Sequence, residues 1–449
     1  MKRIFTLTLL FLLAFLPSCQ KDETTDAGST TPASVQQLSS DVANRWFGLS
    51  LQFAKTTPGF TPPVAARAFG YLGLALYETC APGMPGYVSL QGRINGLQTG
   101  TLPDAPSDPI HYGLAANRAL SVMMLNLYKG TSAANVAEMV ALERSIRDEL
   151  AAGINDELVQ NSIRFGDQMG DAVFQYANTD GQEWAMTRNF YASYALPVFQ
   201  GAWIPTPPAF QATPLQPYWG DVRPFLLQDV ASTQPAPPPA YTTDVSSIFY
   251  QQAQEVYTTV NNLSPEQKAI ALFWSDDPVK TPTPPGHSMS ILRQVLGERK
   301  ANLATAAEAY ARMGMAQHDA FVSCWKCKYQ YSLLRPISYI RAQIDPTWVS
   351  LLSTPPFPEY TSGHSVQSAA MAEVMSALFG ENYAFSDRTH EGRTDIDGKA
   401  RNFASFRAAA QEAAISRLYG GIHYRFGIDA GLSMGEKIGK NIMAIKFKA

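Results

Sequence analysis

Apolar residues along this chain recur at helical spacing, and no convincing stretch alternates as a half-buried strand would. Ala65, Ala68, Leu72, Leu74, Ala75 and Leu76 lay a wide apolar stripe along a helix over 64–79. The same period predicts helices over 36–53, 115–128, 133–152, 158–177, 246–260 and 265–273, and two long helices across 289–330. Val366, Ala369, Ala370, Val374 and Leu378 predict one more over 365–378. The expected fold class is all-α: helical bundles with any site held between helices in the C-terminal third.

Two stretches interrupt the pattern. Proline recurs through 203–241, which excludes regular helix there. Phe210, Tyr218, Trp219 and Phe225 suggest that this segment packs, and a long ordered loop of this kind is expected to wall a site entrance. Residues 384–402 read as a polar loop, whose Asp395-x-Asp397-Gly398 lacks the other ligands of a calcium loop.

The chain opens with Met1-Lys2-Arg3, an apolar run from Ile4 to Leu16, and Pro17-Ser18-Cys19. That run is too short to span a bilayer but has the form of a signal-peptide core. Residues 1–19 are therefore expected to be a lipoprotein signal with Cys19 as acceptor. Gln20-Lys21-Asp22-Glu23 resembles an export signal toward the outer membrane surface, 20–36 reads as a flexible tether, and 37–449 as one domain. A formal net charge of −3 and the lack of a basic stripe give no reason to expect nucleic acid. Cys324-x-x-Cys327 has no second cysteine pair to make a zinc site, which leaves a disulfide or two buried thiols.

Candidate chemistry is concentrated between 325 and 430. Lys328 and Arg335 are seven apart, so on one continuous helix they share a face, with Pro336 expected to end that helix. Ser362-Gly363-His364 precedes the 365–378 helix: Ser362 or Ser365 can cap it, Gly363 admits a close ligand, and a helix N-terminus attracts anions. Arg417 and His423 would diverge on a continuous helix, but Gly420-Gly421 can break it and turn both into one pocket. Together these pieces describe a site for a tetrahedral or trigonal-bipyramidal oxyanion.

The set, in this order and spacing, resembles the superfamily that joins type 2 phosphatidic acid phosphatases with vanadium-dependent haloperoxidases. The resemblance implies vanadate as cofactor, with Lys328, Arg335, Ser362, Gly363 and Arg417 around its equatorial oxygens. It further implies His423 as the axial vanadium ligand and His364 as the acid–base. Trp325 and Phe357 sit where haloperoxidases carry residues beside the halide. Phe273-Trp274-Ser275-Asp276-Asp277-Pro278 and Pro284-Pro285-Gly286-His287 also look like the soluble bacterial enzymes, and His287 could line the halide or peroxide entry. Hydrogen peroxide and halide are then the substrates, with iodide expected from the likeness to bacterial iodoperoxidases and bromide next.

Two departures from the family pattern stand out. Thr361 replaces the usual proline, and Gly427 stands where the phosphatase branch has the aspartate that orients the nucleophilic histidine. The alternative from the same pocket is a phosphatase in which His423 attacks phosphorus and His364 protonates the leaving oxygen. A third is an anion-binding lipoprotein without catalysis, disfavoured because every expected catalytic residue is present. Of the other histidines, His318 reads as a packing or surface residue, and His111 and His390 as solvated.

Overall fold

The computed structural model describes residues 33–226 and 230–449. Cys19 and the signal segment lie outside the described residues. Val35 is already fully buried, so the packed chain begins before residue 37.

Thirteen α-helices occur among the described residues. The first five are α1 (Asp41–Thr56), α2 (Pro62–Cys80), α3 (Tyr112–Leu127), α4 (Ala133–Ala151) and α5 (Asp156–Asn178). They are followed by α6 (Ile248–Asn261), α7 (Pro265–Phe273), α8 (Thr283–Glu298) and α9 (Leu303–Tyr331). The last four are α10 (Pro336–Gln343), α11 (Gly363–Phe379), α12 (Phe406–Tyr419) and α13 (Arg425–Ala444). A two-stranded antiparallel ribbon, β1 (Phe385–Asp387) and β2 (Arg401–Phe403), pairs Phe385 with Phe403. The predicted all-α class is observed. The span read as a polar loop instead carries this ribbon, pinned by Phe385 and Phe403 on its buried face. No helix of the described residues is long and apolar enough to cross a membrane.

Helix α9 is the spine. It is buried on every side from Ala309 to Trp325, as expected of a helix surrounded by others. It packs α2 on one side and α11 and α13 on another, so the N-terminal bundle and the C-terminal bundle share it. Helix α11 in turn packs α12 and α13.

Close packing of α13 follows from a stripe of glycines four apart. A methyl group added at Gly435 would lie 2.1 Å from the Val366 carbonyl oxygen, and one at Gly439 would lie 2.4 Å from Glu373 Cβ. Gly435→Ala must therefore push α13 off α11, and we expect a loss of about 1–3 kcal/mol in denaturant unfolding. Gly297→Ala, at a position with open space around it, is the matched control and should be neutral or mildly stabilising.

Most predicted helix bounds hold within a few residues, but the first helix starts at Asp41 and not at 36, and three further places differ. Helix α8 begins at Thr283, so Pro284-Pro285-Gly286-His287 is its first turn and not a loop; prolines are well suited there because first-turn N–H groups have no intrahelical partner. Helix α9 ends at Tyr331, where Ser332 turns left-handed at φ 42°. Pro336 then opens α10 at its first position, with Arg335 extended as the N-cap. Lys328 and Arg335 thus lie on two helices, and Pro336 starts a helix where the spacing suggested it would stop one.

Candidate active site

Five helix ends meet on one side of the spine: the C-terminus of α9, the N-termini of α10, α11 and α13, and the C-terminus of α12. Ser362 caps α11, its Oγ accepting from the Ser365 N–H at 3.3 Å. Gly363 is the first residue of that helix, so its unpaired first-turn end faces the site. Helix α12 stops at Tyr419, and Gly421, at φ +75°, turns the chain so that Arg417 and His423 converge. A cavity of about 300 Å³ is lined by His364, Arg417, His423 and Gly363 together with Trp325, Phe357, Phe321, Leu215 and Phe190.

Leu215 comes from the proline-rich segment expected to wall this space. Its carbonyl accepts from Trp325 Nε1, and its N–H donates to Pro356. Trp219 and Phe225 of that segment are buried as expected, whereas Phe210 and Tyr218 are exposed.

The two arginines hold donors in reserve. Arg335 is fully buried; its Nε donates to the Phe357 carbonyl at 2.8 Å, and its Nη1 to the Ile422 carbonyl at 2.8 Å and to His423 Nε2 at 3.1 Å. Its Nη2 has no partner. Arg417 donates through Nη1 to the Trp274 carbonyl at 2.6 Å, and its buried Nε is likewise unpartnered. Lys328 differs from expectation: its ammonium is spent on the carbonyls of Pro358, Glu359 and Thr361 at 3.1, 2.9 and 2.5 Å. An ammonium has three donors, so Lys328 contributes positive charge beneath the site while its hydrogen bonds fasten the 358–361 segment. Cys324 and Cys327 beside it are buried free thiols.

Burial pushes the Lys328 ammonium down to about 8, and the Arg335 and Arg417 guanidiniums down to about 10. Two buried guanidinium donors without acceptors, beside a third buried cation, suit an anion.

His423 is oriented by a residue not expected from the sequence. Its Nδ1 lies 2.7 Å from Glu359 Oε1, which also accepts from the Tyr424 N–H at 3.2 Å. Arg335 donates to Nε2, so Nε2 carries the lone pair and Nδ1 the proton given to Glu359. Burial first, then Arg335 and Lys328, drive His423 well below the ordinary histidine range. The orienting carboxylate that Gly427 seemed to remove is therefore supplied by Glu359. Gly427 is its complement: a methyl group there would sit 2.3 Å from Glu359 Oε1.

His364 is also held neutral, by burial and then by Arg417. Its Nε2 faces Asp276 Oδ2 at 3.7 Å. Three further corrections concern histidines. His287 does not line the cavity; it is buried behind it against Asp276 at 2.9 Å. His390 and His111 are buried, not solvated: His390 lies 3.6 Å from Asp276, and His111 caps α3. His318 is a packing residue, bonded to the Arg223 carbonyl at 3.1 Å.

A family model, the VCPO second helical-bundle domain, matches residues 308–448. The solved structure of the first bacterial vanadium-dependent iodoperoxidase is 35% identical; the match covers 92% of this chain and 97% of that one, with a TM-score of 0.81. The chain belongs to the vanadium-dependent haloperoxidases. The vanadium chloroperoxidase of Curvularia inaequalis is 24% identical over 85% of this chain and 78% of its own length. An apo bacterial vanadium-dependent chloroperoxidase, 16% identical with a TM-score of 0.62, shares the fold.

Vanadate is the cofactor of this haloperoxidase, and the site has the features such a group needs. Arg335 Nη2 and Arg417 Nε are buried donors without acceptors. A methyl group at Gly363 would meet its neighbours at 3.8 Å or more, so packing within the protein does not require glycine there and the position leaves a cradle for an oxyanion.

Proposed function

We propose that this haloperoxidase oxidises iodide with hydrogen peroxide to hypoiodous acid. The carrying observation is an apolar, aromatic cavity set directly against unpaired cationic donors. Trp325 and Phe357 line it with ring centroids 5.0 Å apart, and Lys328 and Arg335 lie 5.1 and 4.8 Å from the Phe357 centroid. Moving an anion out of water is costly, and iodide, the largest and least tightly hydrated of the three common halides, loses least on entering such walls. The relative at 35% identity is a bacterial vanadium-dependent iodoperoxidase, which supports the same choice.

In this reading His423 Nε2 would hold vanadium, with Glu359 fixing the ring. Arg335 and Arg417 would supply charge-assisted hydrogen bonds to the oxyanion, the Ser362–Gly363 end of α11 would help cradle it, and Lys328 would add charge through space. Bound vanadate supplies a Lewis-acid centre that activates peroxide toward two-electron oxidation of halide. His364, held neutral, takes the proton from hydrogen peroxide. Trp325 and Phe357 flank the halide and keep water out.

The purified chain, loaded with vanadate, should oxidise iodide in a peroxide-dependent manner at least about tenfold faster than bromide. Phosphate should compete with vanadate, and His423→Ala should abolish turnover. Glu359 on His423 Nδ1 also suits a phosphohistidine, so a phosphatase is the second reading. Vanadate-inhibited release of phosphate from a monoester, without halide oxidation, would establish it instead.

We also infer that Cys19 carries lipid at the outer membrane, ahead of a tether that ends before Val35 and a single domain that runs from there to 449. The support is the basic start, the short apolar run and Pro17-Ser18-Cys19. Mass spectrometry of the N-terminal peptide should show a diacylglyceryl group; an unmodified, uncleaved Cys19 would reject it.

A further inference from the structure

Behind His364 lies a buried file of acid and imidazole groups that the reaction as described does not use. His287 stands between two carboxylates. Its Nδ1 is 2.9 and 3.1 Å from the two oxygens of Asp276, and its Nε2 is 2.7 Å from Asp387 Oδ2. An ionised carboxylate can only accept, so between two of them the ring carries a proton on each nitrogen. All three side chains are at most 1% exposed. Trp274 stacks on the His287 ring at 4.5 Å, fixing its plane. Asp276 sits at φ +48°, in the left-handed region that aspartate tolerates better than most residues.

We propose that His287 is a positioning residue of the reaction: as a permanent imidazolium clamped between Asp276 and Asp387, it holds Asp276 ionised and aimed at His364. The proposal rests on the reading of His364 as the acid–base.

The surroundings agree. Burial alone would lower the basicity of His287, but Asp276 and Asp387 outweigh it and raise the ring to about 10. Asp276 is held well below the carboxylate range despite its burial, by His287 above all. The groups facing this pair from other elements are Asp387 at the end of β1, His390 in the following loop, His364 on α11 and Arg417 on α12. Asp387 is itself fixed by the Thr389 N–H at 2.9 Å. His390, driven down to about 4 chiefly by burial, then by His287, stays neutral beside them.

The imidazolium has a consequence for His364. Asp276 raises the proton affinity of His364, and His287 lowers it. Without the positive ring Asp276 loses the group that keeps it ionised, so His364 loses the carboxylate charge that favours its protonation. In vanadate-loaded His287→Gln the acid limb of kcat/KM for peroxide should therefore move down. In Asp276→Asn, where the imidazolium stays against Asp387, it should move down further. Loss of packing alone would lower activity in both without moving the limb, and a raised or unmoved limb in His287→Gln would overturn the proposal.

Histidine NMR of the ¹⁵N-labelled wild-type holoenzyme reads the charge directly, whether or not the variants fold. The other five histidines are all shifted down. One imidazole protonated on both nitrogens at pH 8 is therefore the expected result. Six neutral rings, or one equivalent of a divalent cation bound at Asp276, His287 and His390, would overturn the proposal. Full turnover by His364→Ala would instead sink the acid–base reading and leave the charge of His287 measured.

Discussion

Replacing His364 by alanine should lower halide oxidation by about 10²–10⁴-fold, the usual contribution of a positioned acid–base, while vanadate remains bound. The separation follows from what each side chain touches. His364 bonds none of the groups that hold His423: those are Glu359 at Nδ1 and Arg335 at Nε2. The donors left for vanadate belong to Arg335 and Arg417, which the substitution leaves in place. A base must be neutral to accept a proton, and burial together with Arg417 keeps His364 so below the ordinary histidine value of 6.5. The wild-type enzyme should therefore keep its peroxide reactivity into mildly acidic solution, and the variant should lack that limb. Equilibrium dialysis for vanadate beside steady-state oxidation rates makes the test. Loss of binding in parallel with loss of rate would show His364 to be a cofactor ligand instead.

The part of this site legible in the sequence is the part whose spacing is local. Ser362-Gly363-His364 had to open a helix because an apolar stripe begins just after it, and Gly420-Gly421 had to break one. The helix break between Lys328 and Arg335 was not legible, because a period of seven fits one helix face as well as two helices joined by a short turn. Proline fits the first turn of a helix as readily as the residue after its last, and only Ser332 at φ 42° separates the two.

The carboxylates were missed for a different reason. Glu359 meets His423 across 64 residues and Asp387 meets His287 across 100, distances over which no periodicity carries information. One signal was available: Gly427 in place of an orienting acid implies that another acid fills the space, and Glu359 is the acid between Phe357 and His364. His390 reads as solvated because no constellation of partner residues surrounds it in the sequence. It is buried because the β1–β2 ribbon folds that stretch back over Asp276.

The second large effect is expected at Arg335. Arg335→Ala should raise the vanadate dissociation constant by about 10–150-fold, the equivalent of one charge-assisted hydrogen bond of about 1.5–3 kcal/mol. Nη2 is the donor available to vanadate, but the other nitrogens set where it points. Nε is tied to Phe357 and Nη1 to Ile422, so the guanidinium plane is locked by two carbonyls, and the Nη1 bond to His423 Nε2 is the one a cofactor on that nitrogen would replace. Lysine cannot reproduce this, since a single ammonium lacks the planar fork, and Arg335→Lys should recover little of the lost affinity although it restores the charge. Lys328→Met offers the contrast. Its ammonium is already committed to three backbone carbonyls, so its removal should act more on the stability of the 358–361 segment than on any directed bond to vanadate. Vanadate titrations of the three variants, each paired with a thermal melt, distinguish the roles. If Arg335→Lys bound vanadate as tightly as the wild type, net charge alone would hold the cofactor and the locked geometry would be irrelevant to it.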